Sequence, residues 1–355
     1  MNLLDTLNPN RERPLVIAGP CSAESLDQMM TTARELNPER VDYFRAGIWK
    51  PRTRPGSFEG NGQKALGWLQ EVKKEFGFKT CTEVANTEHI EQALKADVDL
   101  LWIGARTTTN PFAVQEIAEA LAGTDKEVLV KNPINPDVNL WIGAIERLQL
   151  KGIEKVGAIH RGFSKYEKSK FRNEPLWQLP IELKRKQPNI PIICDPSHIC
   201  GKRELIFGIC QTALDLNFDG LMIESHFDPD NAWSDASQQV TPKSYNEIIH
   251  ELELSFVNPA SNSNAALVEY RNEIDDLDNQ LIQTLKSRME VVEKIAAHKK
   301  EHKMTILQTE RWQKILDKIH EKAQDTNLDK KFLDELFKSI HVNSINLQEN
   351  IIRKS

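Results

Sequence analysis

The chain has 355 residues, of which 39% are hydrophobic and 28% charged, and a net charge of −6. That is the profile of a soluble globular protein with one large domain or two ordinary ones, and the negative balance argues against a nucleic-acid-binding surface. No apolar run approaches the length of a membrane span, and the opening MNLLDTLNPNRERP lacks the apolar core of a signal peptide, so a cytoplasmic protein is expected.

From residue 14 to 226, short apolar runs alternate with helix-like segments. The runs are PLVIAG (14–19), DYFRAG (42–47), FKTCTEV (78–84), LLWIGA (100–105), EVLVKN (127–132), KVGAIHRG (155–162), IPIICDPSH (190–198) and DGLMIESH (219–226). Several are apolar without alternation, as strands of a parallel sheet buried on both faces must be. Eight strand–helix units within about 250 residues predict a (β/α)8 TIM barrel. A doubly wound open sheet is the rival, but no GxGxxG follows the first run.

After NPASNSNAA (258–266) the pattern changes. Gly220 is the last glycine and Pro259 the last proline. Leu267, Tyr270, Ile274, Leu277, Leu281, Leu285, Met289, Val292 and Ile295 recur every three or four residues, which predicts one amphipathic helix of about 35 residues. Two shorter helical patterns follow, around 308–323 and 328–352. The expected division is a barrel over 1–256, a polar linker over 257–266 and a small all-helical domain over 267–355.

Barrels of this kind place their chemistry at the C-terminal ends of the strands, and here every predicted strand ends in polar residues. Cys21 follows the first run. Arg45 lies on the second, which leads to Lys50, Arg52 and Thr53. Glu83, Arg106 and Lys131 mark the third to fifth, His160 and Arg161 the sixth, Asp195 and His198 the seventh. Glu224 and His226 end the eighth, with Asp235 beyond. Cys21, His198, Glu224 and Asp235 form a mixed sulfur, nitrogen and oxygen set suited to a divalent transition metal. Arg45, Lys50, Arg106, Lys131 and Arg161 would repel one another unless they hold anions. The odd count of cysteines, without paired spacing, excludes a disulfide framework; Cys81, Cys194 and Cys210 read as buried structural residues.

The segments GPCSAES, FRAGIWKPRT, GARTTTNPF, VLVKNP, AIHRGFS, DPSHICGKRE and IESHFDPDNAWSDASQQVTP resemble 3-deoxy-D-arabino-heptulosonate 7-phosphate (DAHP) synthase, in its compact type I form. The resemblance implies condensation of phosphoenolpyruvate with erythrose 4-phosphate. It implies that Cys21, His198, Glu224 and Asp235 ligate one metal ion (Mn, Fe, Co or Zn). It assigns the phosphoenolpyruvate phosphate to Arg106, Lys131 and Arg161, and the carboxylate to Arg45 and Lys50. Lys50 would protonate the new alkoxide, His160 would orient a water, and Arg52, Thr53 and Asp195 would position erythrose 4-phosphate. The chain departs from relatives at TTTN (107–110). A sibling enzyme that uses another aldose without metal is the competing reading, and Cys21 argues against it.

LVEYRNEIDDLDNQLIQTLKSRMEVVEKIAAHKK, ILQTERWQKILDKI and SINLQENI resemble the all-helical chorismate mutases. Arg271, Arg288, Lys299 and Arg311 match that family's substrate cations, and Ser344 and Gln348 its last helix. Lys299 and Gln348 would act on the ether oxygen of chorismate. Helix geometry puts Arg288 and Lys299 within about 20° of each other, and Arg271 some 25 Å from Arg288 and about 100° around the helix. Arg271 therefore serves a second site, and a homodimer through the tail is expected. Gln308 and Trp312 stand where relatives often carry acids. Prephenate bound at the tail could restrain the barrel; alternatively, the tail is mainly a chorismate or prephenate sensor with weak turnover.

Overall fold

The computed structural model describes residues 13–50, 56–166, 169–253, 265–307, 309–324 and 326–353. The chain divides into two compact units, Met1–Phe256 and Val257–Ser355.

In the first unit eight strands form, one in each apolar run. They are β1 (Leu15–Gly19), β2 (Tyr43–Arg45), β3 (Lys79–Val84), β4 (Leu100–Ile103), β5 (Glu127–Lys131), β6 (Val156–His160), β7 (Ile192–Cys194) and β8 (Gly220–Glu224). Each pairs in parallel with the next, and β8 pairs with β1 to close a barrel. Strand alternation divides the apolar residues into two cores. Leu15, Ile17, Tyr43, Cys81, Leu100, Trp102, Leu129, Ile159, Ile193 and Met222 fill the interior. Val16, Ala18, Phe44, Leu101, Ile103, Val128 and Val130 face outward, in one core with residues of the surrounding helices.

Short polar residues start the helices that follow. Ser25, Asn86, Asn110, Asp137 and Thr241 each accept a backbone N–H in the first turn, a cap worth about 1 kcal/mol apiece. Asp195 does the same for the short helix Pro196–Cys200 that carries His198. All five cysteines are free and buried.

Among its described residues the second unit has three helices: α11 (Ala265–Glu301), α12 (Thr309–Gln324) and α13 (Lys330–Arg353), numbered after the ten described in the first unit. Both α11 and α12 pack on α13. The expected linker lies outside the described residues except for Ala265 and Ala266, which already begin α11. The apolar stripe on α11 behaves unevenly. Val292 and Ala296 are buried, whereas Tyr270, Ile274, Leu277 and Leu281 are more than half exposed and Ile295 is 43% exposed.

Candidate active sites

Alternation also explains which side chains reach the barrel mouth. Arg45 lies two residues beyond interior Tyr43, Glu83 beyond Cys81, Lys131 beyond Leu129, Arg161 beyond Ile159, Asp195 beyond Ile193 and Glu224 beyond Met222. Each continues the inward parity of its strand, one layer above the apolar core.

The mouth is densely charged and buried. Arg45 sits 3.1 Å from Glu224 Oε1 and stacks over Trp102 at 4.9 Å. Its Nε and Nη1 have no hydrogen-bond partner. Lys131 Nζ lies 2.8 Å from Asp195. Lys50 Nζ donates to the Cys21 carbonyl at 2.8 Å and to its sulfur at 2.9 Å. Burial opposes the Lys50 ammonium, but the Cys21 sulfur and Glu224 outweigh it and its pKa is raised. Arg161 is lowered to about 10, by burial first and then by Arg172 and Arg106.

The four expected metal ligands lie at the same end of the barrel in two pairs, and no three of them bring their donor atoms within 4.8 Å of one another. Cys21 Sγ is 3.3 Å from Asp235 Oδ2, and His198 Nδ1 is 3.8 Å from Glu224 Oε1. Burial and Lys131 lower the His198 pKa, which favours the neutral imidazole a metal requires. Burial, with Glu224 close by, pushes the Cys21 thiol up to about 12. Glu224 Oε1 is buried and ion-paired with Arg45 at 3.1 Å. A soft sulfur, an imidazole and two carboxylates are donors of the kind a divalent transition metal takes.

In the helical unit Arg288 reaches Ser344, which with Gln348 lies on the last helix, while Lys299 Nζ donates to the Ile306 carbonyl. Arg288 Nη1 donates to Ser344 Oγ at 2.6 Å, and Gln348 donates to the Ser344 carbonyl at 3.2 Å. Gln348 Oε1 is buried without a partner. Lys299, Ser344 and Gln348 are all buried, and burial lowers the pKa of both Lys299 and Arg288. Arg271 and Arg311 are exposed.

Residues 5–256 match the DAHP synthetase I family and residues 270–349 match chorismate mutase type II. The chain belongs to the DAHP synthetase I family. It is a DAHP synthase fused to a chorismate mutase, with both activities, in aromatic biosynthesis. It is 30% identical to a phospho-2-dehydro-3-deoxyheptonate aldolase of Thermotoga maritima, over 67% of this chain and 68% of that one. A crystal structure of that aldolase superposes with a TM-score of 0.61 and covers 67% of each chain. A 2-dehydro-3-deoxyphosphooctonate aldolase of Wolinella succinogenes is 26% identical, over 67% of this chain and 97% of that one. No described helix is long and apolar enough to cross a membrane.

The DAHP synthase barrel corrects one expectation. His160 does not face the mouth. It follows outward-facing Ala158, and its ring packs among Trp141, Phe163, Trp177 and Phe218. Burial, helped by Arg161, lowers its pKa to about 3, so it is a neutral packing residue. Asp195, expected to position erythrose 4-phosphate, lies at the mouth with its oxygens engaged by His198 and Lys131. Burial opposes its ionisation, but His198 and Lys131 hold it well below the usual carboxylate range. Arg52, Thr53 and Gln308 lie outside the described residues.

Several further residues touch the expected ones. Gln238 and Gln239 reach back from the last loop, Gln238 Nε2 to Glu224 at 2.6 Å and Gln239 Oε1 to the Cys21 N–H at 2.9 Å. Glu83 accepts from Trp102 Nε1 at 2.9 Å. In the mutase, His341 stacks on Trp312 at 4.0 Å. Burial, then Arg288 and Lys299, lowers its pKa. Among the described residues one His/Glu trio has donor atoms within 4.8 Å of one another: His298, Glu301 and His302, all exposed at the end of α11. Lys299, Lys300 and Lys303 share that turn and oppose a cation there.

Proposed function

We propose that the barrel works with one divalent metal ion held by Cys21, His198, Glu224 and Asp235. The observation that carries this reading is the donor set at one end of the barrel: a thiol 3.3 Å from one carboxylate and an imidazole 3.8 Å from another. Arg45, ion-paired with Glu224 at 3.1 Å, keeps Nε and Nη1 without hydrogen-bond partners; each costs about 1–3 kcal/mol while unpaired, and an anion at that edge relieves the cost. When bound, the ion polarises the aldehyde of erythrose 4-phosphate as a Lewis acid.

The chain's own residues supply the remaining steps. Arg45 and Lys50 hold the carboxylate of phosphoenolpyruvate, the open guanidinium edge of Arg45 suiting a bidentate contact. Arg106, Lys131 and Arg161 hold its phosphate. Arg52 and Thr53 position erythrose 4-phosphate. As the C2=C3 electron pair of phosphoenolpyruvate forms the bond from C3 to the aldehyde carbon, the raised pKa of Lys50 keeps a proton at Nζ for the alkoxide that forms; water then adds to the electron-deficient C2, and phosphate leaves as the C2 carbonyl forms. The test is synthase activity with both substrates before and after chelation, followed by return of Mn²⁺. Full activity in the metal-free protein would overturn the reading.

In the mutase, Lys299 and Gln348 stabilise charge on the ether oxygen, and Arg288 and Arg311 hold carboxylates in the reactive conformer. Arg271 of a second copy completes the site, because it lies about 25 Å along α11 from Arg288. The exposed apolar residues Tyr270, Ile274, Leu277 and Leu281 support a homodimer through this helix. The unit division near Phe256 supports assigning the synthase to 1–256 and the mutase to 267–355, across a linker at 257–266, in a cytoplasmic protein. Prephenate held by the helical unit restrains the synthase. Prephenate inhibition of the full chain, absent in a chain ending at Phe256, is the expected result. The Trp312–His341 stack, at a position where relatives often carry acids, favours a second reading as a sensor with weak turnover. The rate of chorismate loss decides between them.

A further inference from the structure

Two adjacent residues outside the expected site touch both of its halves. Arg172 and Asn173 lie on the segment after β6. Arg172 Nη1 donates to Asp235 Oδ1 at 2.8 Å and to Gln238 Oε1 at 2.6 Å. Gln238, fully buried, passes the contact on to Glu224 Oε2 at 2.6 Å. Asn173 faces the other way. Its Oδ1 accepts from Arg161 Nη1 at 2.7 Å, and its Nδ2 donates to the His198 carbonyl at 2.6 Å.

The backbone is pinned as tightly as the side chains. The Arg172 and Asn173 N–H groups donate to the carbonyls of Cys200 and Ile199. Two glycines make room for the pair. A Cβ at Gly201, φ +66, would sit 2.5 Å from Arg172 Cβ, and one at Gly162, φ +77, would sit 2.8 Å from Asn173 Cβ. Both glycines adopt a conformation that other residues rarely take. The dipeptide therefore has one position relative to the strand ends.

We propose that Arg172 and Asn173 are positioning residues that couple the phosphate-holding Arg161 to the metal-holding His198, Glu224 and Asp235, so that phosphoenolpyruvate and the metal ion bind cooperatively. The inference rests on the metal and phosphoenolpyruvate assignments made above. Anion binding that fixes Arg161 fixes Asn173, and through it the backbone of His198. Ligands of metal sites are commonly oriented by such partners. Coupling between two sites must be reciprocal.

The test measures binding and not turnover. Co²⁺ is titrated into the metal-free full chain by its absorption spectrum, with and without saturating phosphoenolpyruvate. In the unaltered chain, phosphoenolpyruvate should tighten Co²⁺ by about 5–150-fold. Asn173→Asp keeps the oxygen that faces Arg161 and loses the donor to His198. Its new charge beside Arg161 competes with the phosphate, so phosphoenolpyruvate should bind more weakly, and the coupling, read at saturating phosphoenolpyruvate, should shrink to within about threefold. Arg172→Ala should change Co²⁺ affinity by about 10–100-fold. Unchanged coupling in Asn173→Asp, or unchanged Co²⁺ affinity in Arg172→Ala, overturns the inference alone. Unchanged Co²⁺ binding in Cys21→Ala overturns the metal assignment and the inference with it.

Discussion

The barrel and the helical unit solve the same problem, gathering cations around an anionic substrate, by opposite means. In the barrel, closure of one sheet brings eight strand ends to one rim, where Arg45 and Lys131 are buried and Lys50 and Arg161 half-buried among acidic groups of the same chain. In the helical unit the cations are strung along one helix. Arg288 reaches Ser344, while Arg271 lies far along α11 among exposed apolar side chains. A closed sheet gathers its proposed site from one chain; on the proposed reading, a long helix makes part of one and leaves the rest to a second copy.

The largest expected effect separates the two units outright. Cys21→Ala should lower synthase activity by more than about a hundredfold, since even partners of ligands are worth 10–100-fold. Mutase activity in the same preparation should be unchanged. Parallel loss of both activities would mean that the units do not act independently.

Leu277→Asp places a charge on the exposed stripe of α11. We expect mutase activity per chain to fall roughly tenfold on dilution of this variant, as dimers dissociate, while synthase activity per chain stays constant. Constant mutase activity across dilution would break the contrast drawn here.

A mixture of Arg271→Ala and Arg288→Ala chains sharpens it further. With free exchange, half of the dimers are mixed and each holds one intact site. About a quarter of normal mutase activity should return. No recovery, with exchange shown by mass spectrometry, would place each site within one chain.

A smaller effect is expected on the alkaline side. Lys299 acts as a cation, and burial lowers its pKa from the ordinary lysine value. Mutase activity should therefore fall as pH rises through that lowered value, earlier than for an exposed lysine, and Lys299→Arg should move the fall beyond the accessible range. The smallest effect belongs to His160. Its ring packs among four aromatic residues below the mouth, so His160→Phe should leave synthase kcat within about twofold.

His160 also marks how far the sequence could be read. The eight apolar runs give the eight strands, because a strand buried on both faces must be apolar throughout. The inward positions follow from parity: in KVGAIHRG, Ile159 and Arg161 share a face and His160 does not. Counting polar residues at strand ends, without counting parity, put His160 in the wrong layer. Gln238, Arg172 and Asn173 were illegible for another reason. They arrive from loops, where no period fixes the direction of a side chain, and only the folded backbone brings them to Glu224, Asp235 and Arg161. In the tail, period alone gave three helices, but not that half of the α11 stripe would remain uncovered by its own chain.

On the proposed homodimer, that exposed stripe makes the output of the gene nonlinear in its expression. A barrel that builds its proposed site from one chain would give synthase activity in proportion to the amount of protein. A mutase that needs two copies, at concentrations where single chains predominate, follows the square of that amount: halving expression halves one activity and cuts the other about fourfold. A cell that makes little of this protein would thus commit carbon at the entry of the route more readily than it withdraws chorismate at the branch, with no effector involved.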